Sequence, residues 1–174
     1  GNGTISGGSG ILGNTMEILA GTIQKAIGGN STGTGENDTG GDGISAREFN
    51  ISGGEIQQAT GGASTNGSGG SGIYSSTLTI SGNATIGNAQ GGDSNASGGM
   101  GIRSGGTLTI SDNATITNAT GGASTDGYAG DGIHSDGKLT ISGGTIGTAQ
   151  GGNGTISGGS GILGNTMEIL AGTI

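Results

Sequence analysis

The chain has no cysteine, no proline and no tryptophan, and its aromatic residues stop at one phenylalanine and two tyrosines. Without cysteine there are no disulfides, no thiol redox chemistry and no thiolate metal site, which leaves the compartment open. Glycine fills 48 of the 174 positions, but proline is absent and glycine does not fall at every third residue, so a collagen triple helix is excluded. The scarcity of aromatics excludes a broad globular core, because their rings supply the largest buried areas. Cations are scarce too, since Lys25, Arg47, Arg103 and Lys138 stand alone and the formal net charge is -8. Nucleic acid binding rests on clustered Lys and Arg, so nucleic acid is not an expected partner. No apolar run approaches the roughly 18 residues of a membrane span, and no charged and apolar leader opens the sequence. No membrane insertion is therefore expected in this segment, and any signal or anchor is expected outside it.

What the sequence does have is repetition. A Gly-Ile pair recurs with isoleucines at Ile11, Ile44, Ile73, Ile102, Ile133 and Ile162, in steps of 33, 29, 29, 31 and 29 residues. Periods of this size signal a solenoid, in which each unit buries its apolar face against the next. The regular isoleucines also argue against disorder. Each unit continues with an apolar, polar, apolar triplet: Met16-Glu17-Ile18, Phe49-Asn50-Ile51, Leu78-Thr79-Ile80, Leu108-Thr109-Ile110 and Leu139-Thr140-Ile141. That alternation is the mark of a strand with one buried face, so the first and third members should stack into interior columns and the middle ones should point outward.

After the triplet, Gly21, Gly54, Asn83, Asn113 and Gly144 occupy equivalent places. Gly and Asn share a tolerance of the left-handed backbone, so a sharp left-handed corner is expected at each. Two units carry an extra residue there, Ala84 and Ala114. A third strand supplies Ile23, Ile56, Ile86, Ile116 and Ile146, each followed three residues on by alanine. A Gly-Gly pair then opens a segment of variable length, longest from Asn30 to Asp42, which is expected to project as a binding loop. Three short strands in about 30 residues predict an all-β, right-handed parallel β-helix, spaced by roughly 4.8 Å per coil.

Residues 1–23 are identical to residues 152–174, an offset of 151. Neighbouring units agree at only about half their positions, so ordinary divergence of short repeats does not account for the identity. The chain reads as a single β-solenoid over 1–174, with five coils per 151-residue super-repeat and 152–174 repeating 1–23. Chains or blocks of this kind can associate with themselves end to end.

Few residues suggest chemistry. The acids fall at different places in their coils, so no catalytic residue is assigned, no enzyme is expected and no cofactor is implied. His134 lies on an outward rank with Leu12, Ser45, Tyr74, Arg103 and Leu163, which would set Arg103 between two rings. Glu36, Asp38 and Asp42 crowd the longest loop as a candidate cation site, although no nine-residue calcium repeat is present. Ten of the thirteen asparagines begin an N-x-S/T sequon, and Asn30, Asn37, Asn66 and Asn95, in the variable segments, are the candidates for glycosylation. Thr77-Leu78-Thr79 and Thr107-Leu108-Thr109 form two TxT steps of the kind an ice-binding face would need, yet Thr also suits exposed strands.

The Gly-x-Gly-Ile repeat, as in Gly70 to Ile73 and Gly99 to Ile102, together with Ile-x-Asn-Ala at Ile86 to Ala89 and Ile116 to Ala119, resembles the β-helical repeats of bacterial surface proteins. Autotransporter passengers and the polymorphic outer membrane proteins are the families it is similar to. The resemblance implies an extracellular, cell-surface adhesin or stalk and supplies no catalytic residue. The expected function is a structural fibre or adhesin shaft built from tandem super-repeats. The alternatives are a carbohydrate-binding or carbohydrate-cleaving β-helix, with surface glycans as partner, and an ice-binding solenoid.

Overall fold

A computed structural model describes all 174 residues as a β-solenoid of about five turns without a single helix. Its strands are β1 (Ile11–Ile18), β2 (Thr22–Ile23), β3 (Ala26–Ile27), β4 (Ile44–Ile51), β5 (Glu55–Thr60), β6 (Ile73–Ile80), β7 (Thr85–Gln90), β8 (Ile102–Ser104), β9 (Leu108–Ile110), β10 (Thr115–Thr120), β11 (Ile133–Gln150) and β12 (Ile162–Thr173). Every pairing is parallel. The Gly-Ile isoleucines pair in register along the whole stack, Ile11 with Ile44, then Ile73, Ile102, Ile133 and Ile162. The period of the sequence is thus the period of the coil.

Three paired segments make each coil, and the first two run together. In β1, β4 and β6 the Gly-Ile segment and the apolar triplet form one eight-residue strand. Only a single position, Asn14 opposite Arg47, drops out of the register between them. In the next coil, where Gly105-Gly106 stands in place of the single Ser76, the strand breaks into β8 and β9, because paired glycines weaken a strand interior.

The interior columns follow the alternation of the triplets. Phe49, Leu78, Leu108 and Leu139 stack in one column and Ile51, Ile80, Ile110 and Ile141 in another, all 2% exposed or less. Ile56, Ile86, Ile116 and the alanines Ala59, Ala89 and Ala119 fill the opposite wall. This slender core holds no aromatic but Phe49. Two polar ladders also point inward. Ser75, Ser104 and Ser135 are buried at 1% or less, and their hydroxyls donate to the carbonyls of Thr77, Thr107 and Gly106 at 2.6, 2.7 and 2.8 Å. Ser64, Ser94 and Ser124 are likewise buried, and Ser64 and Ser124 donate to Asp38 O at 2.7 Å and Asn95 O at 2.8 Å in the coil before. A buried hydroxyl needs such a partner to offset its desolvation.

The variable segments, expected to project, mostly do not; only the longest, between Ser31 and Thr39, carries an extra exposed loop at Thr34 to Asn37. Each returns on itself so that its outgoing and incoming limbs touch, and the limbs of successive coils interleave. Gly62 N–H donates to Gly41 O, Gly70 to Gly62, Gly92 to Gly70, Gly99 to Gly92, Gly122 to Gly99 and Gly130 to Gly122, all between 2.7 and 2.9 Å. One zigzag of glycine amides therefore runs along the solenoid, crossing between limbs at every step. A Cβ at Gly62 or Gly92 would overlap the carbonyl of Gly29 or Gly62. Backbone packed this closely excludes side chains, which explains the glycine pairs that the sequence shows. The turns of the segments stay exposed, as at Thr65, Thr125 and Tyr128, and in the longest segment Thr34, Gly35, Glu36 and Asn37 are all exposed.

The corners also differ in part from expectation. Gly21, Gly54 and Gly144 have positive φ as anticipated, but Asn83 and Asn113 do not. In those two coils the left-handed residue is the one before, Gly82 at 58° and Asp112 at 58°. The added Ala84 and Ala114 turn inward, fully buried, and this shifts the reversal one residue upstream. Asp112 accepts from Gly82 N–H at 2.9 Å, and its short polar side chain suits the left-handed region better than most.

Candidate functional site

The outward rank beginning beside the Gly-Ile isoleucines forms as expected, with Leu12, Ser45, Tyr74, Arg103, His134 and Leu163 in parallel register. Side chains two residues apart on a strand share a face, so His134 and Asp136 both project from β11 next to Arg103. The Arg103 guanidinium lies over the Tyr74 ring, 5.7 Å from its centroid. Its Nη2 donates to Asp136 Oδ2 at 2.9 Å. His134 Nδ1 meets Asp131 Oδ2 at 2.6 Å, and Nε2 meets Asp136 Oδ1 at 2.8 Å. Five side chains from three coils are joined in one network.

Charge in this network is mutually reinforcing. The bond to Asp131 raises the His134 pKa, burial opposes this, and the bond to Asp136 adds to the rise. Burial would push Asp131 up, but the bonds from His134 and from Ser160 N–H outweigh it and the pKa falls. Burial acts on Asp136 in the same sense and is outweighed by Arg103 and His134, so its pKa is lowered as well. Both imidazole nitrogens face carboxylate oxygens, which favours the doubly protonated ring and leaves neither nitrogen free to accept a proton from a substrate. The arrangement holds coils together. Its one cost is Arg103 Nε, which is buried without a partner.

Asp42, two residues before Ile44, lies below Arg103 near the same rank. Its Oδ1 accepts from Ser71 N–H at 2.8 Å. Burial raises its pKa, partly offset by Ser71, Ser45 and Arg103. Asp131 repeats the device three coils later by accepting from Ser160 N–H at 2.6 Å. An acid at this place caps the coil above.

The candidate cation ligands are not gathered by the fold. Asp38 is buried and accepts from Gly35 N–H at 2.6 Å within its own loop, Asp42 is committed to Ser71, and Glu36 is exposed. No group of three His, Cys, Asp or Glu side chains is placed to hold a metal ion. Among the sequon asparagines, Asn37 is exposed, Asn30 is exposed and accepts from Ala63 N–H at 2.9 Å, and Asn66 and Asn95 are half-buried. Asn95 Oδ1 accepts from the Thr125 hydroxyl at 3.0 Å. Thr79, Thr109 and Thr140 stack in register, but the rank passes to Asn50 on one side and Glu168 on the other.

No family model, curated protein or solved structure matches this chain.

Sequence reasoning placed Arg103 against Tyr74 and missed both carboxylates of the network. The signal was present in Asp131-Gly-Ile-His134-Ser-Asp136, whose acid two residues after His134 must share its face. The inward serine ladders were missed as well. Their signal was the serine two residues after Ile73, Ile102 and Ile133, on the buried side of the same strand.

Proposed function

We propose that this chain is a stretch of an extracellular shaft, a structural fibre or adhesin stalk on a cell surface, built by stacking 151-residue blocks into one continuous solenoid. The observation that carries this reading is the behaviour of the duplicated segment. Ile162, Met167 and Ile169 sit on Ile133, Leu139 and Ile141, just as Ile44, Phe49 and Ile51 sit on Ile11, Met16 and Ile18. The left-handed glycine recurs as well, at Gly21 and Gly172. One block therefore ends in the coil with which it began, and the next can continue in the same columns. Five coils at about 4.8 Å advance the axis by about 24 Å per block.

Such a shaft derives its stiffness from in-register pairing that leaves no free sheet edge along its length. Its resistance comes from nearest-neighbour stabilisation repeated many times. Surface glycans are natural partners for a molecule in this position. The mass of the native chain under denaturing conditions tests the reading: it predicts a mass well above the 16.1 kDa of this segment, in steps of the 151-residue block. A native chain containing no further block would overturn it.

A further inference from the structure

Beside the Tyr74 rank runs a groove of about 470 Å³ that crosses three coils. One wall is a row of hydroxyls from Thr39, Ser68 and Ser97, held in register by cross-coil bridges that continue to Tyr128. The other wall is Tyr74 and Arg103, and Asp42 and Met100 also line the groove. Its floor is low because Gly40, Gly69 and Gly98 cannot carry a Cβ without striking the carbonyls of Gly62, Gly92 and Gly122. The seam that forbids side chains there also hollows the surface.

The lining selects a chemistry. Asp42 is a partly desolvated carboxylate whose bond from Ser71 N–H leaves acceptor capacity unused, so it calls for hydroxyl donors. The row of hydroxyls gives and accepts hydrogen bonds at intervals of about 4.8 Å. Met100 and the part of the Tyr74 ring that Arg103 leaves uncovered offer apolar surface to C–H groups. Anionic ligands are disfavoured, since Arg103 is already paired with Asp136 and the chain carries a net charge of -8. A few convergent polar groups around apolar surface in a preformed cleft are the ordinary features of a ligand site. We infer that this groove binds a segment of neutral oligosaccharide laid along the solenoid axis, its hydroxyls on Asp42 and the Thr39, Ser68 and Ser97 row and its ring faces on Tyr74 and Met100. The inference does not depend on the shaft reading, because one block contains the whole groove.

The test uses the protein's own reporters. Tyr74 and Tyr128 are the only tyrosines and there is no tryptophan, so intrinsic emission reads this region directly. Titration with hexasaccharides of β-1,4-glucose, β-1,4-mannose and β-1,4-N-acetylglucosamine, alongside hexagalacturonate, is followed by tyrosine fluorescence and calorimetry. Saturable binding of at least one neutral hexasaccharide is expected, weakened at least tenfold by Tyr74→Ala and by Asp42→Asn and unchanged by Thr115→Ala on β10, which does not line the groove. Asp42→Asn retains an acceptor for Ser71 N–H, so the coil stays capped. Absence of saturable binding to all three neutral probes, binding of hexagalacturonate alone, or affinity retained in both groove variants would overturn the assignment.

Discussion

Replacing Gly92 with alanine places a methyl group where the carbonyl oxygen of Gly62 already sits. Real Cβ atoms essentially never approach within 3.0 Å of a neighbouring heavy atom, so something must move. The Gly62 carbonyl cannot easily withdraw, because it accepts the Gly70 amide at 2.9 Å. Neither can Gly92 itself, which donates to Gly70 at 2.8 Å and accepts from Gly99 at 2.8 Å. Overpacking costs about 1–3 kcal/mol and one lost backbone bond about 0.5–1.5 kcal/mol, so Gly92→Ala should destabilise by about 2–4 kcal/mol. For a chain of this length that corresponds to a melting temperature lower by roughly 10 °C. Gly158→Ala is the control, since the nearest atom to its Cβ is Gly152 O at 3.5 Å. Its effect should stay within about 0.5 kcal/mol. Thermal unfolding followed by circular dichroism compares the two. Hydrogen exchange at the Gly70, Gly92 and Gly99 amides then locates the damage, because coils couple chiefly to their neighbours. If Gly92→Ala melts within a degree or two of Gly158→Ala, the glycine seam does not hold the coils as described.

Three further outcomes follow from the same geometry. Ile102→Ala, at a site with no exposure, should cost about 2–5 kcal/mol, whereas Leu12→Ala, at 76% exposure, should leave the urea midpoint nearly unchanged. Asp112→Ala should lose roughly 1–2 kcal/mol, since alanine tolerates a φ of 58° poorly and gives up the Gly82 amide. Asp112→Gly should recover most of that loss in the same denaturation assay. Stability should also depend on pH through the network around His134. The raised pKa of His134 contributes stability that is complete below its ordinary value near 6.5 and is lost as pH rises through the higher folded value. The lowered pKa values of Asp131 and Asp136 contribute stability present above the ordinary value near 3.9 and lost as pH falls through the folded ones. Asp42 acts in the opposite sense, because a carboxylate raised by burial costs stability once ionised. The network is therefore most stabilising between about pH 4 and 6.5. Wild type should weaken between pH 6 and pH 9 in parallel unfolding titrations, and His134→Gln should flatten that slope. A wild-type slope equal to that of the variant would remove His134 from the account.

The solenoid was legible because its cause is local and repeated. Each coil writes Ile, a triplet such as Leu78-Thr79-Ile80 and a second Ile at the same intervals, so stacking in register follows from burying identical faces. The outward rank through Tyr74, Arg103 and His134 was legible for the same reason. What could not be read was set by backbone against backbone. Glycine pairs such as Gly91-Gly92 look alike in a flexible loop and in a seam, and only the approach of a second limb distinguishes them. The corner at Asp112 was misplaced because Asn113 has the better left-handed propensity, while the buried Ala114 decides where the chain turns. The carboxylates around His134 were passed over since Asp131 recurs only at Asp42, three coils away, and Asp136 has no acidic counterpart in the other coils.

Small-angle scattering from chains of one, two, three and four blocks tests whether the 151-residue block propagates one unbroken solenoid. The maximum dimension should grow by about 24 Å with each added block, while the cross-section stays constant. Growth that falls short of this, or a cross-section that widens with block number, would mean that the blocks fold back or pack side by side and do not form a shaft.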